Sequence, residues 1–129
     1  MKSTFFITKE LKVVIPNNWE VGNKNEVIQI SDPDNGVGVL QFSVFTVSYP
    51  LSLNLSDELR DFYEDKLEKI TETYNCAQSY YQDVANNKFW KCWLVRNGDI
   101  IIFGTYNFNE GDKDIEEKVV EEIIKSIHR

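Results

Sequence analysis

The chain has 129 residues, 42% of them hydrophobic and 13% aromatic, with a formal charge of −7 at pH 7. That length and apolar content suit one domain, residues 1–129, with its own core, and exclude a disordered chain. An acidic balance disfavours nucleic-acid phosphates and anionic membranes, where basic charge supplies the affinity, and leaves room for a basic protein partner.

At the start, MKSTFFITKELK holds one short apolar cluster, Phe5-Phe6-Ile7, broken at once by Thr8-Lys9-Glu10. This is no signal-peptide core, and no apolar run approaches membrane-spanning length, so a cytoplasmic protein is expected. Phe5–Ile7 and Leu11–Ile15 read as two short strands, the second ended by Pro16, which donates no ladder hydrogen bond. After Trp19, Glu26–Ser31 alternates, with Val27, Gln29 and Ser31 on one side and Ile28 and Ile30 on the other. Asp32–Gly36 is a turn, and Val37–Val47 is the long strand that returns from it. Residues 48–54, with Tyr49-Pro50, form a loop.

Ser56 is the expected N-cap of a first helix, with Asp57 and Glu58 where the helix dipole favours acids. Its apolar stripe is Leu55, Leu59, Phe62, Tyr63, Leu67 and Ile70, ending near Tyr74 and stopped by Asn75. Ala77–Val84 reads as a strand and residues 85–88 as a loop. Phe89–Phe108 is the apolar centre: two runs joined by Asn97-Gly98, a strong hairpin signal, with Gly98-Asp99 as the alternative turn. Asp114 is the expected cap of a last helix with the stripe Ile115, Val119, Val120, Ile123, Ile124 and Ile127.

The order β-β-β-β-α-β-β-β-α with short connections predicts an α+β fold: an α/β/α sandwich with a largely antiparallel sheet of about seven strands and two main helices. Each helix takes one face of the sheet, or both share one.

The run Leu11-Lys-Val-Val-Ile-Pro16, then Trp19, then Val27-Ile-Gln-Ile30 and the turn into Val39-Leu-Gln-Phe42, with Ile123-Ile-Lys-Ser-Ile127 closing the last helix, resembles the PsbP-like fold. That fold is shared by the photosystem II extrinsic subunit, a Ran-binding release factor and many small bacterial proteins of unknown function. The resemblance spans most of the chain as an element order and implies a sandwich around an antiparallel sheet. It implies no specific biochemistry, because one fold hosts many functions.

Catalytic and metal signatures are missing from the sequence. The single histidine, His128, stands next to the end, which leaves no Ser-His-Asp or Cys-His arrangement without folding back. Cys76 and Cys92, set on neighbouring strands, are expected roughly 16 Å apart. They read as two free thiols in a reducing compartment and not as zinc ligands. Asp32-x-Asp34-x-Gly36 begins like a calcium loop, but the glycine falls one position early and position twelve is Ser43, so it is a turn. No cofactor and no enzymatic activity are expected.

Two surfaces remain. Residues 54–74 carry seven acids and three bases, residues 110–129 seven and four, and these two segments hold the whole net charge (−4 and −3). The leading expectation is a non-enzymatic interaction module, of adaptor or immunity type, whose acidic helical surfaces around Asp61, Glu64 and Glu68 dock a basic protein. The alternative is a small-ligand-binding domain. With an 85–88 loop, the strands align Tyr80 with Trp93, Gln82 with Lys91 and Gly104, and Val84 with Phe89 and Tyr106. One sheet face then carries a polar centre, Gln82 and Lys91, beside the gap at Gly104, rimmed by Tyr80, Trp93 and Tyr106. The opposite reading has a helix covering this face and Lys91 reaching out at its edge.

Overall fold

The structure, a computed structural model, describes residues 1–48, 54–63 and 66–129. Among these, the elements in chain order are β1 (Lys2–Phe6), β2 (Lys12–Pro16), β3 (Glu20–Lys24), β4 (Val27–Ser31), β5 (Gly38–Thr46), α1 (Leu55–Tyr63), β6 (Thr71–Glu72), β7 (Cys76–Asp83), β8 (Lys88–Asn97), β9 (Ile100–Asn109) and α2 (Glu117–Lys125). A seven-stranded sheet runs β3-β4-β5-β9-β8-β7-β6, with every neighbouring pair antiparallel. The fold is α+β with two helices, as the sequence pattern requires.

Membership of the sheet differs from the sequence expectation at both ends. β1 and β2 pair only with each other, as a separate hairpin. Their places are taken by β3 and β6, which the pattern did not reveal. β3 is Glu-Val-Gly-Asn-Lys, an edge strand with one inward apolar side chain, Val21. It turns into β4 through Asn25 and Glu26, both left-handed at φ 55° and 66°, a turn that Glu does not announce. β6 is two residues long, too short for any periodicity.

The sheet is covered on both faces. One face presents Leu40, Phe42, Trp93, Val95, Ile102, Tyr106 and Phe108, and α2 lies on it through Val120, Ile123 and Ile124. The β1–β2 hairpin completes that layer with Leu11, Val13 and Ile15. It is tied to the end of α2: Lys12 and His128 exchange backbone hydrogen bonds (2.7 and 3.0 Å), and the Val14 N–H donates to Ser126 Oγ at 2.8 Å. His128 is therefore held by its backbone, in a structural role. On the other face α1 packs Leu55 and Leu59 against Ala77, Cys92, Leu94 and Ile101. Burying each of those leucines is worth about 2 kcal/mol. Each helix takes one face.

α1 is shorter than its stripe predicts. It ends at Tyr63 instead of near Tyr74, and Leu67 and Ile70 reach the same apolar layer from non-helical chain. Asp57 and Asp61 are already a like-charged i,i+4 pair in α1, and a longer helix would add Asp61 with Asp65, Glu64 with Glu68 and Glu68 with Glu72, each costing a few tenths of a kcal/mol. The β7 edge supplies bonds instead. The Glu68 N–H donates to the Tyr80 carbonyl at 2.9 Å, and Ser79 Oγ donates to the carbonyls of Glu68 and Lys69 at 3.1 and 3.2 Å.

The caps also differ. Asn54, not Ser56, caps α1: its Oδ1 accepts the Asp57 N–H at 3.0 Å and its carbonyl accepts the Glu58 N–H at 3.0 Å. Ser56 instead donates its N–H and Oγ to Glu72 Oε1, at 3.0 and 2.8 Å. Asp114 does not cap α2, since it sits at φ 70° and not in the extended region a cap needs. Glu116 precedes the helix, and Ile115 lies outside the apolar stripe, 59% exposed.

The central hairpin turns at Gly98-Asp99, because Asn97 pairs with Ile100. Gly98 takes φ 60° at the first central position, which only glycine adopts freely. Asp32–Gly36 is a turn closed by Gly36 N–H to the Asp32 carbonyl at 3.0 Å. The expected loop at 48–54 falls largely outside the described residues.

The capping assignment predicts that Asn54→Ala lowers stability by about 1 kcal/mol in urea unfolding. A larger loss from Ser56→Ala than from Asn54→Ala would contradict it.

Candidate functional site

A nine-residue α2 is too short and narrow to cover the whole of its sheet face. It lies over the β5–β9 centre and leaves the β7 side open. A groove runs between α2 and the β6–β7 edge, formed of three adjoining recesses. The first, about 370 Å³, has Thr71, Thr73, Cys76, Gln78, Trp93 and Glu121 in its lining. The second, about 220 Å³, shares Thr71, Gln78, Trp93 and Glu121 and adds Tyr80 and Lys91. The third, about 380 Å³, continues from Tyr80 and Lys91 to Phe89, Lys113, Asp114 and Glu117.

Strand alternation explains which side chains meet here. Registers of Tyr80 with Lys91 and Tyr106, and of Gln78 with Trp93 and Gly104, put all of these side-chain positions on the α2 face. Both registers are shifted by two residues from the sequence alignment, because Asp83 pairs with Lys88 across a four-residue connection and the hairpin turns at Gly98. A shift of two preserves the face of every residue.

The predicted set is therefore on one face but not equivalent. Trp93 and Tyr106 are each 1% exposed, so they form floor and core and not a rim. The Trp93 indole N–H donates to Gln78 Oε1 at 3.0 Å, which fixes that amide in the groove. Tyr106 donates its hydroxyl to Glu116 Oε1 at 2.8 Å, and the same oxygen accepts the Val37 N–H at 3.2 Å. Burial, followed by the bond to Glu116, pushes the Tyr106 phenol far above its usual range. Tyr80 is a true rim residue, 45% exposed. Gln82 pairs with Phe89 and is absent from the lining of all three recesses; Gln78, four residues earlier, takes the role assigned to it. No cavity opens at Gly104, since Phe42 and Ile124 close over it.

Lys91 is the charged centre of the groove. Its Nζ lies 3.4 Å from Glu117 Oε2 and 3.2 Å from Glu121 Oε1, one turn apart on α2. The three side chains are 24%, 17% and 30% exposed, so water screens them only in part. One ammonium between two carboxylates leaves this triad at −1. Lys91 is part-buried on the sheet, and its charge meets α2 at the groove.

The two thiols lie in opposite layers, Cys76 against the α2 layer and Cys92 in the α1 layer. Burial first, then the nearby Glu121 carboxylate, raises the Cys76 thiol to about 11. Burial raises Cys92 to about 12, against a side-chain hydrogen bond with Tyr63 that acts the other way, and its Sγ donates to the Ser79 carbonyl at 3.4 Å. High-pKa thiols are poor nucleophiles. Among the described residues no group of three or more His, Cys, Asp or Glu could hold a metal ion, and no helix is long and apolar enough to cross a membrane.

The acidic residues divide between the two faces. Asp61 is exposed on α1, and Glu68 is exposed in the segment beside β7. Glu64 lies outside the described residues. Because α1 and α2 are on opposite faces, the acids of the two helices do not combine into one surface. The groove was legible in part: Tyr80, Lys91 and Trp93 were placed by alternation. Gln78, Glu117 and Glu121 were missed. An i,i+4 acid pair on the last helix opposite a lone strand lysine was the available signal.

No family model and no curated protein matches the chain. Solved structures do. A crystal structure from Bacteroides thetaiotaomicron VPI-5482 superposes with a TM-score of 0.74 at 19% identity over 99% of this chain. This chain spans about half of that one, 48%. The solution structure of cyanobacterial PsbP (CyanoP) from Synechocystis sp. PCC 6803 superposes with a TM-score of 0.64 at 12% identity, covering 98% of this chain and 91% of that one. At these identities the likeness is one of fold, and the chain has the PsbP-like fold.

Buried thiols and phenols are both raised, and the thiols act first as pH rises, because their unfolded value is the lower. Both folded thiol values exceed the unfolded value of 9.0, so the stability they carry is complete below pH 9 and lost as pH rises toward 11 to 12. Unfolding free energy measured in urea should fall by about 1.4 kcal/mol per pH unit for the buried Cys92 alone. Cys92→Ala should flatten that fall; an unchanged slope would contradict the assignment.

Proposed function

We propose, from a PsbP-like fold that prescribes no chemistry of its own, that this domain is a non-enzymatic binding module whose ligand occupies the groove beside α2. The observation that carries this is the continuity of the three recesses, which share Thr71, Gln78, Trp93 and Glu121 and then Tyr80 and Lys91. A groove with an aromatic floor, a fixed amide and a compensated ion triad has the composition of a recognition site. It lacks the paired acid and base with separated environments that a hydrolytic site needs.

A second reading has an independent observation. The segment 54–74 carries −4, and Asp57, Asp61 and Glu68 are exposed along it. This surface suits docking of a basic protein, in an adaptor or immunity-type role. Two unbridged thiols support a reducing compartment such as the cytoplasm as the setting of this reading.

Thermal-shift screening separates these readings. A groove ligand at ten times its Kd should raise the melting temperature by about 4 °C. Thr71→Arg, which fills the exposed mouth, should abolish the gain without lowering the unliganded value. Asp61→Lys with Glu68→Lys should leave the gain intact. A gain that survives Thr71→Arg and disappears in the lysine variant would overturn the groove assignment in favour of the acidic surface.

A further inference from the structure

We infer that the outer recess of the groove is a receptor for a lysine or arginine side chain of a basic protein partner, with Lys113 as its internal occupant. The inference rests on the groove reading and names the chemistry of its ligand.

Three aromatic rings stack toward this recess. Tyr106 and Phe108 lie 5.3 Å apart, and Phe108 and Phe89 5.6 Å apart, with interplanar angles of 27° and 13°. The first two rings are buried, and Phe89 is the outermost and half-buried. Ring faces are electronegative, so the outer face of such a stack attracts cations. A cation already occupies it: Lys113 Nζ lies 5.6 Å from the Phe89 centroid.

The charges agree. Lys91, Lys113, Asp114 and Glu117 line the recess, and Glu121 meets Lys91 from behind. Lys91 is committed to Glu117 and Glu121, while Asp114 makes no ion pair among the described residues. If Lys113 moves away, one ammonium faces three carboxylates. An anionic ligand would be repelled there, and a neutral one would gain nothing from the charge.

Lys113 sits where it can be displaced. It follows a short 3-10 turn, Glu110–Asp112, and precedes Asp114, whose backbone is left-handed at φ 70°. Lys113 and Asp114 are exposed. The recess, at about 380 Å³, has room for one long cationic side chain, and the groove continues past Lys91 and Tyr80 for the chain that bears it. That continuation favours a protein segment over a free amine.

The test is fluorescence anisotropy with labelled octalysine, octaarginine and a neutral Gly-Ser octapeptide, at low salt. Both basic peptides should bind and the neutral one should not. Lys113→Gln should tighten binding about three-fold, the size of one exposed cation–π contact. Lys24→Gln makes the same charge change on β3, at the opposite edge of the sheet, and should alter it far less. Phe89→Leu should weaken binding about three-fold, and Asp114→Asn, which retains the left-handed backbone, should also weaken it. Equal effects of Lys113→Gln and Lys24→Gln would overturn the receptor in favour of general acidity. So would tight binding unchanged by both Phe89→Leu and Asp114→Asn, or no binding of either basic peptide. If the peptides fail while another ligand stabilises the wild type and not Thr71→Arg, only the cation receptor falls; if both fail, the groove reading falls with it.

Discussion

The seating of α2 on the sheet, with the Ile124 side chain reaching over Gly104 of β9, sets how the groove side of this molecule is laid out. With no side chain there, Phe42 of β5 and Ile124 of α2 meet over the bare backbone. A Cβ added at Gly104 would stand 3.3 Å from the Phe42 ring, tighter than a packed core accepts without a shift, and 3.5 Å from the Ile124 side chain, an ordinary contact. Lys91 fixes the same helix from the side through Glu117 and Glu121. Ser126 and His128 then bind the end of the helix to β2. Together these contacts seat α2 over the middle strands, and the groove along the β7 side is what the helix leaves uncovered.

The opposite face is covered differently. α1 packs on the β7–β8 side, where Ala77, Cys92 and Leu94 are apolar. Toward β4 and β5 the same face carries Gln29 opposite Gln41, and Gln41 opposite Thr105. That polar row accounts for an alternating pattern in β4, where only Ile28 and Ile30 enter the core.

Most of the architecture was readable because it rests on long periodic runs. β5, β8, β9 and α2 have enough apolar positions to declare both type and face. What could not be read was decided by partners distant in sequence. The helical spacing of Leu67 and Ile70 is real, and both still reach the α1 layer, but the β7 edge captures the backbone of Glu68 and Lys69 between them. β3 and β6 exist because an edge was available, not because their own residues demand a strand. In the site, alternation placed Tyr80, Lys91 and Trp93 together. It could not say that a helix would bring two glutamates to Lys91, nor that Trp93 would bond Gln78 and so replace Gln82 in the groove. The split of acids between faces is likewise a tertiary fact, since the charge counts of the two helical segments are nearly equal in sequence.

The groove account unites these features: a helix held off one flank, a floor of buried aromatics, and polar groups whose positions are set by one another. Trp93 reports on it directly, because its indole N–H is bonded to Gln78 inside the groove. The decisive measurement is a ¹H–¹⁵N spectrum during titration with whichever compound raises the melting temperature. The account predicts that the Trp93 Nε1–H and Gln78 side-chain amide resonances move with saturation while the amides of Gln29 and Gln41, on the opposite face, remain in place. Movement of Gln29 and Gln41 with Trp93 and Gln78 unchanged would contradict it.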